Sequence, residues 1–330
     1  MGGGEGNGNG GDSGGEGTTE SSTSEESSTD TSSESGSYPS ETITMVVGFG
    51  AGGSNDTRYR GFKPYFEEEL GGNTIVENRS GASGRTGMNY LYGQDPDGYS
   101  LIAQYLPTTI LGAALFNTQY DPSELTPMGT VDAGYSLLVA PAGRYEDLSD
   151  MMSQLGDSEF TMASTGTGST THFSAVSVLD SLGINYREQV SAVPYDSGSE
   201  AGAAAASGDV DIAYSSSDLT GLVQDGRIDV LLVDRPSPSP RYPDAPTVND
   251  ISEWDIPVVA GEMAIHGPPG VDEANVSVVS DAITAACQNE EYQGFVENNG
   301  LSVVGVGAEE TRQKMDDLQA AADRYRELTQ

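Results

Sequence analysis

Residues 43–61 read ITMVVGFGAGGSNDTRYRG and residues 74–91 read TIVENRSGASGRTGMNYL. Each is an apolar, β-branched run that ends in a glycine-rich loop and opens a helical pattern. Glycines let backbone N–H groups come close to a bound group, and the helix N-terminus behind them carries about half a positive charge. Two such loops in one hundred residues therefore predict an anion site on an α/β scaffold. The first helix is expected over about 54–70, with Tyr59, Phe62, Phe66 and Leu70 on one face. Pro64 is expected to kink it, and Gly71-Gly72 to stop it.

Outward from this stretch, strands and helices keep alternating, which indicates α/β architecture. The DPDG turn at 95–98 precedes the strand YSLIAQYL, and SLLVAPA at 136–142 starts a second series of units. That series holds FTMAST, a helix after Thr171, the helical EAGAAAASG and the strands VDIAYSSS and IDVLLVD, ending near Asp234. A proline-rich connection, RPSPSPRYPDAPTV, follows. The strand VVAGEMAIHGP and helices near 273–289 and 309–328 finish the chain.

The 330 residues suffice for about two domains with full cores. Acids number 51 against 14 bases, giving a net charge of -37, and the only lysines are Lys63 and Lys314. No basic cluster exists, so nucleic acid is excluded as a partner. Acidity spread through the whole chain reads as the surface of a protein from a very salty medium. At about 1 M salt the Debye length is about 3 Å, so recognition of an anion must be short-range. Cys287 is the single cysteine and reads as a small buried residue.

Residues 1–37 are Gly, Ser, Thr, Asn and acids apart from Met1. Such a stretch cannot bury enough apolar surface to order itself and is expected to be a flexible tether. It reads as the stalk of a cell-surface lipoprotein, with Met1 standing where a signal peptide and lipid-bearing cysteine would have been.

GFGAGG has Gly48, Gly50 and Gly53 at dinucleotide spacing, and Glu77 ends the next strand where a ribose-binding acid would sit. An NAD-dependent oxidoreductase is the rival this spacing raises. Against it, Asp56 would oppose a pyrophosphate, and SGASGRTG has no place in that fingerprint. The sequence has no GxSxG elbow, no HExxH, and no second histidine at metal-ligand spacing from His172 or His266. Neither an enzyme nor a metal or cofactor is expected.

Read in order, YPSETITMVVGFGAGGSNDTRYRG, VENRSGASGRTG, PDGYSL, YDPSELTPMGTV, STGTGSTTHF, VPYDSG, GDVDIAYSSSDL, GRIDVLLVDRPSPSPRYPDAPTV and GLSVVGV resemble the solute-binding proteins of tripartite tricarboxylate transporters, the TctC or Bug family. The resemblance covers about 38 to the C-terminus. It implies a type II periplasmic-binding-protein fold: two α/β lobes, a hinge and a ligand cleft between them. Lobe one would be 38–136 plus 236–330, and lobe two 137–235. The implied function is extracytoplasmic capture of a small di- or tricarboxylate, acidic amino acid or aromatic acid. The implied partners are the large and small membrane subunits of a secondary transporter, the binding protein itself being a monomer. A sensor or scavenger ectodomain of the same fold is the remaining alternative.

Carried over by this resemblance, Gly52, Gly53 and Ser54 form an anion nest with Asp56 beside it, unless Asp56 is only a first-turn helix acid. Ser83 and Gly84 match a second glycine turn. Arg85 departs from it, either pairing with a second ligand carboxylate or lying on the surface. Lobe two would offer Ser164, Thr165, Thr167, Gly168, Ser169 and Thr170, a hydroxyl-rich loop with more oxygens than capping needs. His172 beside it reads as structural or as a ligand contact. Tyr195, Asp196, Ser215, Ser216 and Ser217 end the next two strands, and Tyr105, with Thr108 and Thr109, follows the third strand of lobe one. Two further departures stand out. Gly50 replaces a usual proline, which would make the first loop more mobile. Asp196 replaces a frequent lysine, which would disfavour multiply charged anions.

Overall fold

The run ITMVV forms β1 (Ile43–Val47), whose near-continuous burial is that of an interior strand covered on both faces. The structure is a computed structural model and describes residues 1–4, 38–155, 158–251 and 253–329. Beyond its first four residues, the expected tether lies outside them. α1 (Ser54–Leu70) buries Tyr59, Phe62, Phe66 and Leu70 and ends at Gly71, whose φ of 65° is the left-handed conformation natural to glycine. β2 (Thr74–Asn78), α2 (Arg85–Tyr92), β3 (Ser100–Tyr105) and α3 (Leu106–Leu115) follow. β2 and β3 pair in parallel with β1 on its two sides.

β4 (Thr126–Gly134) then leads into a second sheet. Its elements are β5 (Leu137–Pro141), α4 (Leu148–Leu155), β6 (Phe160–Ser164), α5 (Thr170–Ser181), α6 (Tyr186–Gln189), β7 (Val190–Pro194), α7 (Gly198–Ser207), β8 (Ile212–Ser215), α8 (Thr220–Gln224) and β9 (Ile228–Val233). The chain returns as β10 (Gly261–Gly267), α9 (Glu273–Ala286), α10 (Glu290–Asn298), β11 (Ser302–Gly307) and α11 (Ala308–Thr329). The sheet orders are β11-β4-β10-β3-β1-β2 and β7-β6-β8-β5-β9. The result is a two-lobed α/β fold in which β4 and β10 run antiparallel at the crossing.

Each sheet has its own core. Ile43, Met45, Phe62, Phe66, Ile265 and Tyr292 fill the first, and Leu138, Phe160, Met162, Leu179 and Tyr214 the second. The stretch after β9, expected on lobe one, packs Val248, Ile251, Trp254 and Ile256 into the second core. α11 joins both lobes: Met315 belongs to a core with Val46 and Ile102, while the Tyr325 ring meets Phe173 of α5 edge-on at 4.3 Å. Cys287 is buried, as expected of a small core residue.

Several helices escape the sequence reading: α3, α4, α6, α8 and α10. α3 begins directly after β3, where the sequence reading ends the strand YSLIAQYL and names no helix; α3 is buried and has no polar face to set a period. α10, with Gly294 in its middle, is fixed by packing of Tyr292 and Val296 rather than by propensity.

At the crossing, the Ser136 N–H donates to Asp234 Oδ1 (2.6 Å) and the Asp234 N–H to Ser136 O (3.0 Å). Asp234 is fully buried and its Oδ2 has no partner among the described residues. Burial raises its pKa well above the usual carboxylate range. The folded chain thus holds a proton that the unfolded chain releases above about pH 3.9, and stability falls as pH rises from there through the raised folded value. Asp234→Asn keeps the acceptor for Ser136 and needs no such proton. It should raise the melting temperature at pH 7 by more than at pH 4; equal shifts at both would show that Asp234 is ionised in the fold.

Candidate functional site

Between the lobes lies a cavity of about 260 Å³. Lobe one lines it with Phe49, Gly50, Ala51, Gly53, Ser54 and Asn55 from the β1–α1 loop, and with Tyr105 and Thr108 at the start of α3. Lobe two adds Thr165, Ser169, Thr170 and Thr171 around the start of α5, Asp196, Ser197, Gly198 and Glu200 around that of α7, and Ser216 and Ser217 after β8. Four helix N-termini therefore border one space. In α5 and α7 the capping hydroxyls of Ser169 and Ser197 accept first-turn N–H groups. α1 and α3 have no side-chain cap, which leaves first-turn donors of lobe one for another acceptor. None of the described residues lining the cavity is Lys, Arg or His. The groups there that favour an anion are backbone dipoles at the helix ends, set against the two acids Asp196 and Glu200.

The first loop is held from below by Asp56. Its carboxylate accepts from the Gly52 N–H (2.9 Å), from Arg60 Nε (2.9 and 3.0 Å) and from Asn78 Nδ2 (3.0 Å), and that same amide also donates to Phe49 O (3.0 Å). Burial alone would raise the Asp56 pKa, but these donors together hold it below the usual value. Asp56 is buried and does not line the cavity. The expectation that it stands beside the ligand is thus corrected: it is a brace, since its oxygens are used by the loop and the helix. Gly52, at φ 77°, makes the turn itself and borders an adjoining opening instead of the cavity.

Tyr105 is placed by charge. Arg58, in the second turn of α1, forms a buried ion pair with Asp132 of β4, donates to Gly261 O (2.9 Å) at the start of β10, and lies 4.7 Å over the Tyr105 ring. Tyr292 OH donates to the other Asp132 oxygen (2.8 Å). A β-carbon at Gly134 would sit 2.8 Å from Arg58 Nη1, so glycine there is what admits the guanidinium. The Tyr105 hydroxyl in turn bonds Ser54 Oγ (2.8 Å) inside the cavity.

The lobes meet at Thr108 and Thr170, whose hydroxyls bond at 2.9 Å while the Thr170 N–H donates to Thr108 Oγ1 (3.0 Å). In the hydroxyl-rich loop, Thr165 Oγ1 bonds Ser169 Oγ (3.0 Å) and Thr171 Oγ1. Much of the expected oxygen surplus is therefore spent within the loop. His172 is buried and accepts from the Gly168 N–H (3.4 Å) through Nδ1, and burial lowers its pKa to about 4. It is a neutral structural histidine.

Of the residues expected at the site, Gly53, Ser54, Tyr105, Thr108, Thr165, Ser169, Thr170, Asp196, Ser216 and Ser217 line the cavity. The others do not. Ser164 and Ser215 are buried in strand ends, and Ser215 Oγ donates to Gly198 O (3.0 Å). Thr167 is exposed, and Tyr195 packs with the core of lobe two. Ser83, Gly84 and Gly168 lie where the second glycine loop and α3 approach lobe two: a β-carbon at Gly166 would be 2.9 Å from Ser83 Oγ. Arg85 is neither a surface arginine nor in the cavity; it stacks 3.7 Å over Phe116. Phe49, Gly50, Ala51, Asn55, Thr171, Ser197, Gly198 and Glu200 line the cavity and were missed. Ser197 before the run GSEAGAAAAS is an N-cap signal that would have found α7's end.

Comparison with known proteins gives a consistent result. Residues 59–328 match the family described as the tripartite tricarboxylate transporter family receptor. A Cupriavidus necator UPF0065 protein is 26% identical over 261 residues, covering 78% of this chain and 77% of its own. Protein BugT of Bordetella pertussis is 24% identical over 288 residues, covering 84% and 85%. Among solved structures, the periplasmic binding protein BugD superposes with a TM-score of 0.78 at 21% identity, covering 88% of this chain and 98% of its own. MatC from Rhodopseudomonas palustris, with bound malate, gives 0.76 at 23%, covering 89% and 100%.

Arg58→Met should strand the Asp132 charge in the core, at a cost of about 3–5 kcal/mol. Urea unfolding reads this as a lower midpoint, and adding Asp132→Leu should restore part of it. A single variant as stable as the parent would show that the ion pair does not hold the cavity floor.

Proposed function

The chain belongs to the tripartite tricarboxylate transporter receptor family, and from that premise we propose that it binds a small carboxylate in the interlobe cavity for delivery to a membrane transporter. Receptors of this family are solute-binding proteins, not enzymes, and their periplasmic-binding-protein fold points to an extracytoplasmic location. The dinucleotide reading fails with that membership. Its structural premises also fall away: Glu77 pairs with Arg79 (2.7 Å), and a β-carbon at Gly48 would collide with Gln104 Oε1, so this glycine serves loop packing.

The observation that carries the carboxylate reading is the pair of uncapped lobe-one helices opening onto a cavity shared with lobe two. A carboxylate accepts several N–H bonds, and charge-assisted ones are about twice as strong as neutral ones. MatC was solved with malate and a further R. palustris structure of this fold with adipate, which supports the same ligand chemistry. Contacts to both lobes favour the closed state, and that state is the form read by the large and small membrane subunits. We place the lobe crossings near residues 135 and 260, and read the protein as a monomer held at the cell surface by a lipid-anchored stalk. The charge of -37 suits molar salt, where screening removes long-range repulsion of an anion.

Calorimetric titration in molar salt with malate, adipate and other small carboxylates tests this. At least one should bind, and Ser54→Ala should weaken it about tenfold, the loss of one charge-assisted bond. The melting temperature of the empty protein should stay within a few degrees. A panel in which no acid binds or raises the melting temperature would overturn the reading.

A further inference from the structure

Resting on the carboxylate reading above, we propose that the ligand is a zwitterion, carrying one carboxylate and an ammonium group where a di- or tricarboxylate carries another anion. Three features of the cavity lead there. Its charged side chains, Asp196 and Glu200, are both acids, and both belong to the lobe opposite the uncapped helices of lobe one. Lobe one thus turns uncapped donors to the cavity, and lobe two turns capped helix ends and two acids, of which Glu200 also accepts the Asp196 N–H through Oε2 (3.2 Å). A second carboxylate would face like charge without a counter-cation, whereas an ammonium supplies three donors to those acids.

Asn55 adds an independent observation. It lines the cavity, is 2% exposed, and its amide Nδ2 donates to Ala103 O (3.1 Å), which leaves Oδ1 without a partner among the described residues. A buried acceptor left open is costly and is completed by a ligand N–H or O–H. A plain dicarboxylate offers neither.

The nearby cations do not rescue a second anion. Arg58, Arg235 and Arg241 border the adjoining openings, but Arg58 is paired with Asp132 and Arg241 with Asp218 (3.0 Å), while Arg235 is buried, donates to Gly300 O (3.2 Å) and lies 4.8 Å over the Tyr135 ring. Arg85 stacks on Phe116 outside the lining. At molar salt, long-range attraction to any of them is screened, so only the groups lining the cavity discriminate.

The test is calorimetry in molar salt with 2-aminobutanoate, 4-aminobutanoate, butanoate and succinate, beside malate and adipate. At least one amino acid should bind about tenfold tighter than butanoate, succinate, malate and adipate, the size of one charge-assisted contact. In Asp196→Asn/Glu200→Gln, whose sites are exposed and whose fold is expected intact, that preference should vanish. Asn55→Ala should weaken the amino acid more than butanoate. Malate, adipate, succinate or butanoate binding as tightly as the amino acids would overturn the zwitterion while leaving the carboxylate reading in place. So would an amino-acid preference that survives the double variant. Silence from all six acids would overturn both.

Discussion

The buried ion pair between Arg58 and Asp132 is the constraint on which the cleft depends. One guanidinium fastens the second turn of α1 to β4 and to the first residue of β10, the strands that run to the lobe crossing. Its face also backs Tyr105, whose hydroxyl meets Ser54 in the cavity. A buried pair of this kind adds little net stability over an apolar substitute, but it tolerates few geometries. What it contributes is position: the cavity floor and the hinge share one charge-bonded joint.

Around that joint lies a cavity whose described lining residues include no Lys, Arg or His. Helix ends turn their N–H groups toward it, and Asp56 braces the loop that presents one of them. This arrangement suits a chain with few bases and a charge of -37, because backbone N–H groups act at hydrogen-bond range, where salt screens least. In the proposed reading the acids of lobe two, Asp196 and Glu200, act by exclusion and set which anions are admitted.

Much of this was legible in the strand-loop-helix stretch at 43–61, where α1 occupies the residues its periodicity marked and Gly71 ends it. The loops that line the cavity were legible too, because glycine and hydroxyl residues before a helix have few other uses. Their individual side chains were not. Asp56 and Asp196 read alike as acids near a loop, yet one is buried among donors and the other borders the cavity. Only packing separates them.

By itself the sequence determined the alternation of strands and helices, the two glycine loops, the acidic composition and the family, since each rests on local spacing or composition. Tertiary structure decided what depends on residues far apart in the chain. Arg58 meets Asp132 and Gly261 across 74 and 203 positions, and Thr108 meets Thr170 across 62. No local pattern encodes such pairs, because they form only when sheets from separate parts of the chain are brought together and their buried polar groups must find partners.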